Sequence, residues 1–206
     1  QAFAAALGTG LPVYEPQGSF IVDIGGGTTE VALVSMGGVV LSHSVRVAGN
    51  KIDEAIAGFL KKQHAILVTD RVAEQIKFDL ADVRSERKME HIAVVRGRDI
   101  ATGMPLTVDV NMAKVSEAIR EPIQEILGAI KWVLGRIPPE LCADILQNGI
   151  FLTGGSAALP NLDTMIATEF GVPVSVARDA GECTTLGAGY MADHFDMLGG
   201  ISGKAE

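Results

Sequence analysis

The chain has 206 residues, of which 48% are hydrophobic and 5% aromatic, and it carries a net charge of −8 at neutral pH. That is enough for one large domain or two small ones, with an aliphatic core of the kind an α/β sheet covered on both faces requires. No Lys/Arg run exceeds two residues and no apolar stretch approaches the roughly 20 residues of a membrane-spanning helix, which argues against nucleic acid as the main partner and against a helical span.

Residues 1–8 read as the end of a helix stopped at Gly8, Gly10 and Pro12. The chain opens on Gln1 and an apolar run, Ala2 to Leu7, rather than on Met, and shows no signal-peptide pattern, so a piece of a longer chain is expected. Phe20 to Ile24 is a nearly continuous apolar run ending in Gly25-Gly26-Gly27, which predicts a buried strand entering a tight turn. Val31 to Val34 predicts a second strand, Gly37-Gly38 a two-residue hairpin turn and Val39 to Val47 a third strand, giving a three-stranded antiparallel meander.

Asn50 is placed to cap a helix, with Asp53 as a first-turn charge and Ile52, Ala55, Ile56, Phe59 and Leu60 on its buried face. A second helix is predicted from about Thr69 to Ala81, with Val72, Ile76 and Leu80 on one stripe. Residues 89–110 alternate around Gly103-Met104-Pro105 and predict a β-hairpin. A long helical spacing runs from Val115 to Ile137; Pro122 should start or kink a helix within it, and Pro138-Pro139 should end it. Then come a buried strand over Ile150 to Thr153, a helix from about Pro160 to Phe170 closed by Gly171, a short strand over Val172 to Val176, a helix over 182–197 and a frayed tail from Gly199. The charge-rich block 50–114 suggests a small inserted subdomain.

Cys142 and Cys183 are far apart and form no metal-ligand spacing with His43, His64, His91 and His194, so a reducing cytosol is expected. The strongest motif is Asp23-Ile24-Gly25-Gly26-Gly27-Thr28-Thr29. Glycines permit torsions a Cβ forbids, and consecutive amides in such a turn can converge on an anion. Thr28 and Thr29 add hydroxyl donors, and Asp23 is placed to hold the water shell of Mg²⁺. A second turn, Gly154-Gly155-Ser156-Ala157, follows the strand at 150–153; it allows close approach to a base or ribose, or simply a strand-to-helix loop with positive φ. Glu74 and Lys77 share a helix face and can reach a nucleoside, although a solvated i,i+3 pair is the default for that spacing. Gly49 either approaches the ligand or permits the turn into the helix.

The segments 23–30, Arg46-Val47-Ala48-Gly49, Glu74-Gln75-Ile76-Lys77, Val95-Arg96-Gly97-Arg98-Asp99, Pro138-Pro139-Glu140-Leu141 and Leu152-Thr153-Gly154-Gly155 occur in an order and spacing that together resemble the MreB family, the cell-shape actins of bacteria. The likeness runs to about Ala192. The first turn alone is shared with sugar kinases and chaperones of the actin superfamily; the later segments are more specific to MreB.

That resemblance implies an α/β, actin-like (ribonuclease H-like) mixed sheet flanked by helices, with this chain as the second half of a nucleotide cleft. Residues 1–49 and 115–206 would form the core subdomain and 50–114 the outer one. Residues Gly25, Gly26, Gly27, Thr28 and Thr29 would contact the phosphates of ATP and Asp23 the magnesium, in a catalytic role. Glu74 and Lys77 would contact the nucleoside, with Gly49 close by and Gly154, Gly155, Ser156 and Ala157 on the other side of ribose and base. Two departures from the family pattern stand out: Gln1 replaces a Pro and Ser156 a third glycine.

The implied protein is an ATPase that assembles with itself into filaments beneath the cytoplasmic face of the membrane, with cell-wall synthesis or membrane proteins as further partners and membrane contact through segments outside this chain. The first phosphate turn and the water-orienting carboxylate belong to the other half, so weak nucleotide binding and little hydrolysis are expected of these 206 residues alone. The alternatives are a small-molecule kinase or the ATPase domain of a DnaK-type chaperone on the same fold, and a non-catalytic interaction module.

Overall fold

The computed structural model describes residues 1–79, 81–83 and 92–194. In chain order the elements are α1 (Ala2–Gly8), β1 (Ser19–Ile24), β2 (Thr29–Ser35), β3 (Gly38–Val45), α2 (Gly49–His64), β4 (Ile66–Leu67), α3 (Asp70–Asp79), β5 (Ile92–Asp99), β6 (Pro105–Asn111), α4 (Met112–Ala118), α5 (Arg120–Leu134), α6 (Pro139–Asn148), β7 (Ile150–Thr153), a short 3₁₀ helix (Gly155–Ala158), α7 (Leu162–Phe170), β8 (Val174–Val176) and α8 (Cys183–Asp193). Leu80, His91, the start of the predicted hairpin at 89–91, the last predicted turn of the final helix and the tail from Gly199 lie outside the described residues.

The main sheet has the order β3-β2-β1-β7-β8. β1 pairs antiparallel with β2 and parallel with β7, and β8 adds parallel to β7. Strand β1 is buried along its whole length, because both faces of the sheet are covered. Phe20, Val22 and Ile24 point into the larger core with α2 and α5, while Ile21 joins Ala32 and Val34 beneath the alanines of α1. This is why the run 20–24 is continuously apolar rather than alternating. The second sheet, β4-β5-β6, is antiparallel. Its Val95 and Val110 belong to the same apolar cluster as β1 and β2, so one core runs through both sheets. On α5, Ile123, Ile126, Leu127, Ile130 and Val133 are buried, and its Trp132 stacks on His43 of β3 with ring centroids 4.5 Å apart.

The structure shifts several expected boundaries. The hairpin turn is Met36-Gly37, one residue earlier than Gly37-Gly38: both have positive φ, 51° and 76°, as the mirror-image turn that matches strand twist demands. Helix α2 starts at Gly49 with Ala48 as its cap residue, and Asn50 makes no side-chain cap. The single helical spacing over 115–137 is two helices that meet at Ile119. Pro122 sits in the first turn of α5, where an amide has no intrahelical acceptor to lose. Helix α5 ends at Leu134 with Gly135 as its cap residue, before Pro138-Pro139, which instead opens α6 with Pro139 at the first helical position. Helix α6 buries only Ile145 fully, which left its periodicity too weak to read.

Helices α1 and α8 cross backbone to backbone. A Cβ on Gly187 would overlap the Ala4 carbonyl, and one on Gly8 would overlap the Cys183 carbonyl. By contrast, a Cβ on Gly189, exposed on the same helix, would meet nothing within 4 Å. Gly187→Ala is therefore expected to destabilise the fold by about 3 kcal/mol or more through overpacking, whereas Gly189→Ala should stabilise it by roughly 0.5–1 kcal/mol through helix propensity. Thermal or urea unfolding of the two variants measures the difference; equal effects would mean the helices do not touch as described.

Candidate functional site

Strands β1 and β7 run parallel with Asp23 opposite Thr153, so their carboxyl ends open side by side. The turn 25–28 follows one strand and Gly154-Gly155-Ser156-Ala157 the other. Crevices outside the carboxyl ends of such strands are where open α/β sheets bind ligands.

One carbonyl joins the pieces. The Gly25 carbonyl accepts from the Gly49 amide at 3.1 Å and from the Ser156 hydroxyl at 2.9 Å. The Gly26 carbonyl accepts from the Asn50 amide at 2.8 Å, and the Gly25 amide donates to the Thr28 carbonyl at 3.0 Å. The turn thus caps the first amides of α2, which a helix cannot satisfy for itself. With its carbonyls drawn inward, the amides of Gly26, Gly27 and Thr28 find no protein acceptor among the described residues. Gly26 and Gly27 are exposed.

The glycines divide into two kinds. Gly154 has φ +84°, and a Cβ there would overlap the Ile24 carbonyl and lie 2.6 Å from Asp23 Oδ1. A Cβ on Gly49 would overlap the Ser156 hydroxyl and lie 3.3 Å from Lys77 Nζ. These two are glycine because the fold packs against them. Gly27 and Gly155 have no positive φ and nothing within 4 Å of a Cβ, so the protein itself gives no reason for glycine there.

Asp23 is 3% exposed at the end of β1, and its Oδ2 accepts from the Thr184 hydroxyl at 3.0 Å. Burial pushes its carboxyl above the usual range, the Thr184 and Thr153 hydroxyls act the other way, and the nearby Glu30 charge raises it further. Among the described residues no group of three or more His, Cys, Asp or Glu stands ready for a metal. A cation held here would rest on the single carboxylate of Asp23 and complete its shell elsewhere, the habit of Mg²⁺ rather than of zinc or calcium.

The remaining predicted residues are placed unequally. Thr28 is half-buried beside the free amides. Thr29 is fully buried and donates its hydroxyl to the Val47 carbonyl at 2.7 Å, so of the two hydroxyls expected to face an anion it is committed inward. Lys77 is 2% exposed and bonds Asp53 Oδ2 at 3.0 Å, whereas Glu74 is exposed. The two are therefore not a solvated pair, and Asp53 is not a simple first-turn charge. Desolvation raises the Asp53 carboxyl and the Lys77 bond and charge lower it; its Oδ1 is buried with no partner among the described residues. Gly155 is exposed, Ser156 is buried through its bond to Gly25, and Ala157 packs into the core. Ser156 thus acts as a strut between the two turns. Sequence reading missed Thr184; the signal available was a pair of hydroxyls, Thr184-Thr185, opening an otherwise apolar helix.

The family model described as MreB/Mbl protein matches residues 1–200. This chain belongs to the MreB/Mbl family. It is 44% identical over 194 residues to the cell shape-determining protein Mbl of Bacillus subtilis, a match covering 94% of this chain and 58% of that protein. Among solved structures it resembles MreB5 of Spiroplasma citri, determined bound to AMPPNP, with a TM-score of 0.87, 31% identity, and coverage of 97% of this chain and 60% of that one. The actin-like fold recurs in the MamK double helical filament, TM-score 0.72 at 23% identity, over 94% of this chain and 58% of the other. The chain spans less than three-fifths of the length of the curated MreB/Mbl relatives, 58% and 57% for the first two. Among the described residues no helix is long and apolar enough to cross a membrane.

In this MreB/Mbl chain the buried Asp23 works against stability when charged. Its folded pKa lies above that of an ordinary aspartate, so the folded state holds the proton more tightly, and the group's contribution to stability improves as pH falls through the folded pKa. Asp23→Asn should raise the melting temperature of the ligand-free protein at pH 7, with a gain that shrinks toward pH 4. A calorimetric pH series checks this; a loss of stability at every pH would contradict it.

Proposed function

We propose that this chain forms one wall of the nucleotide cleft of an ATP-binding, filament-forming bacterial actin that organises cell shape and cell-wall synthesis. The observation that carries the reading is the turn that follows β1: the amides of Gly26, Gly27 and Thr28 have no partner among the described residues, Gly26 and Gly27 are exposed, and Asp23 lies near the end of the strand that leads into the turn. Two glycines without internal cause, Gly27 and Gly155, border the same open face, as expected where a ligand approaches the backbone.

In this reading the three amides and the Thr28 hydroxyl hold the β- and γ-phosphates. Asp23 would hold the water shell of Mg²⁺, which would supply charge neutralisation. Gly49 and Gly155 bring backbone close to ribose and base, and Glu74 faces the nucleoside from solvent. Lys77 acts from behind, fixing Asp53 and the start of α2 through a buried ion pair. Residues 1–49 and 115–206 are the core subdomain and 50–114 the outer one.

Support for the ligand comes from MreB5, whose structures are bound to AMPPNP and to ADP, and support for self-association from the double helical filament of MamK. Head-to-tail contacts that do not close generate such open polymers. Hydrolysis is a property of the intact protein, acting at the inner face of the cell membrane.

Calorimetry on the intact protein with Mg·ATP tests the site. Binding is expected, and Gly27→Ala should weaken it about tenfold or more while changing stability by less than about 0.5 kcal/mol, because its Cβ meets only the ligand's space. No heat with any nucleotide, or an unchanged affinity in the variant, would refute the assignment.

A further inference from the structure

The α1–α8 pair is tied to the proposed metal position by one side chain. Thr184, the second residue of α8, is half-buried and donates its hydroxyl to Asp23 Oδ2 at 3.0 Å. Helix α8 does not move alone: Gly187 and Gly8 lock its backbone against α1, where any Cβ would overlap the facing chain. The start of α1 is held in turn by the Glu30 carboxylate, which accepts from the Ala2 amide at 3.0 Å. Glu30 is the cross-strand partner of Asp23 in the β1–β2 register. A closed circuit results: Asp23 to Thr184, along α8, across to α1, down to Glu30 and back through one rung of the sheet.

We propose that Thr184 is a positioning residue that fixes the Asp23 carboxylate for the cation and transmits cation binding to the α1–α8 pair. The inference rests on the nucleotide reading of the same site. A hydroxyl that donates to Oδ2 fixes the carboxylate plane, while Oδ1 faces the backbone of Gly154, where a Cβ would intrude. The Thr184 hydroxyl, fixed near the start of α8, holds the carboxylate plane that a cation would use, so a cation that orders Asp23 orders the start of α8 with it.

The test uses the intact protein, saturated with ADP, titrated with Mn²⁺ as the probe and followed by electron paramagnetic resonance of free Mn²⁺. Hydrogen exchange of the amides of residues 183–187 is read with and without the cation. Thr184→Val should weaken Mn²⁺ binding about tenfold, the size of effect expected on losing a hydrogen bond to a charged group, and should abolish cation-induced protection of α8. Thr184→Ser, which keeps the hydroxyl, should restore both. An unchanged Mn²⁺ midpoint in Thr184→Val overturns the proposal and leaves the nucleotide site standing. So does a Thr184→Ser variant as impaired as Thr184→Val, which would mark a packing role. If the unsubstituted protein takes up ADP without any Mn²⁺ dependence, the assignment of Asp23 to the metal falls, and this inference with it.

Discussion

The Gly25 carbonyl is the constraint on which the site depends. Its two lone pairs are both used, one by the Gly49 amide at the start of α2 and one by the Ser156 hydroxyl on the opposite turn. With that oxygen and the Gly26 carbonyl fixed inward, the peptide units of the glycine turn must present their amides outward. The same bonds satisfy the first amides of α2, so binding geometry and helix start are not separate features. A turn that merely reversed the chain would have no need to place its donors in solvent.

Packing around this oxygen is close on one side and open on the other. Gly49 and Gly154 are pressed by Ser156, Lys77, Asp23 and the Ile24 carbonyl, and Gly27 and Gly155 face empty space. Behind the site, the buried Lys77–Asp53 pair anchors α3 to α2, and the single core that spans both sheets keeps the two regions in register. Isolated buried ion pairs add little net stability, so this one is better understood as fixing position. The same fold recurs in MreB5 of Spiroplasma citri at 31% identity, over 97% of this chain.

Much of this was legible in the sequence, for identifiable reasons. Strands β1, β2 and β7 announced themselves because a sheet covered on both faces needs unbroken apolar runs, and Asp23, the three glycines and Thr28 lie where the first such run stops. What was hidden was tertiary. Asn50 has the chemistry of a cap, but carbonyls from 25 residues or so away in sequence took that role, so α2 began earlier. Thr29 reads as a phosphate donor in one dimension and proves to bond Val47 across the sheet end. Lys77 reads as a surface charge until Asp53 is placed next to it. Thr184 lies 161 residues from Asp23, and no local pattern connects them. Ser156, which stands where the family pattern has a third glycine, makes the bond that joins the two turns.

The most direct measurement is a nitrogen-15 correlation spectrum of the intact protein, with assigned amides of Gly26, Gly27 and Thr28, recorded before and after adding Mg·ADP. These three resonances should shift downfield and their exchange with solvent should slow, as amides do when they take a charged acceptor, and the Gly25 amide, already bonded to Thr28, should change least. Three amides that keep their positions and exchange rates in saturating nucleotide would contradict the account.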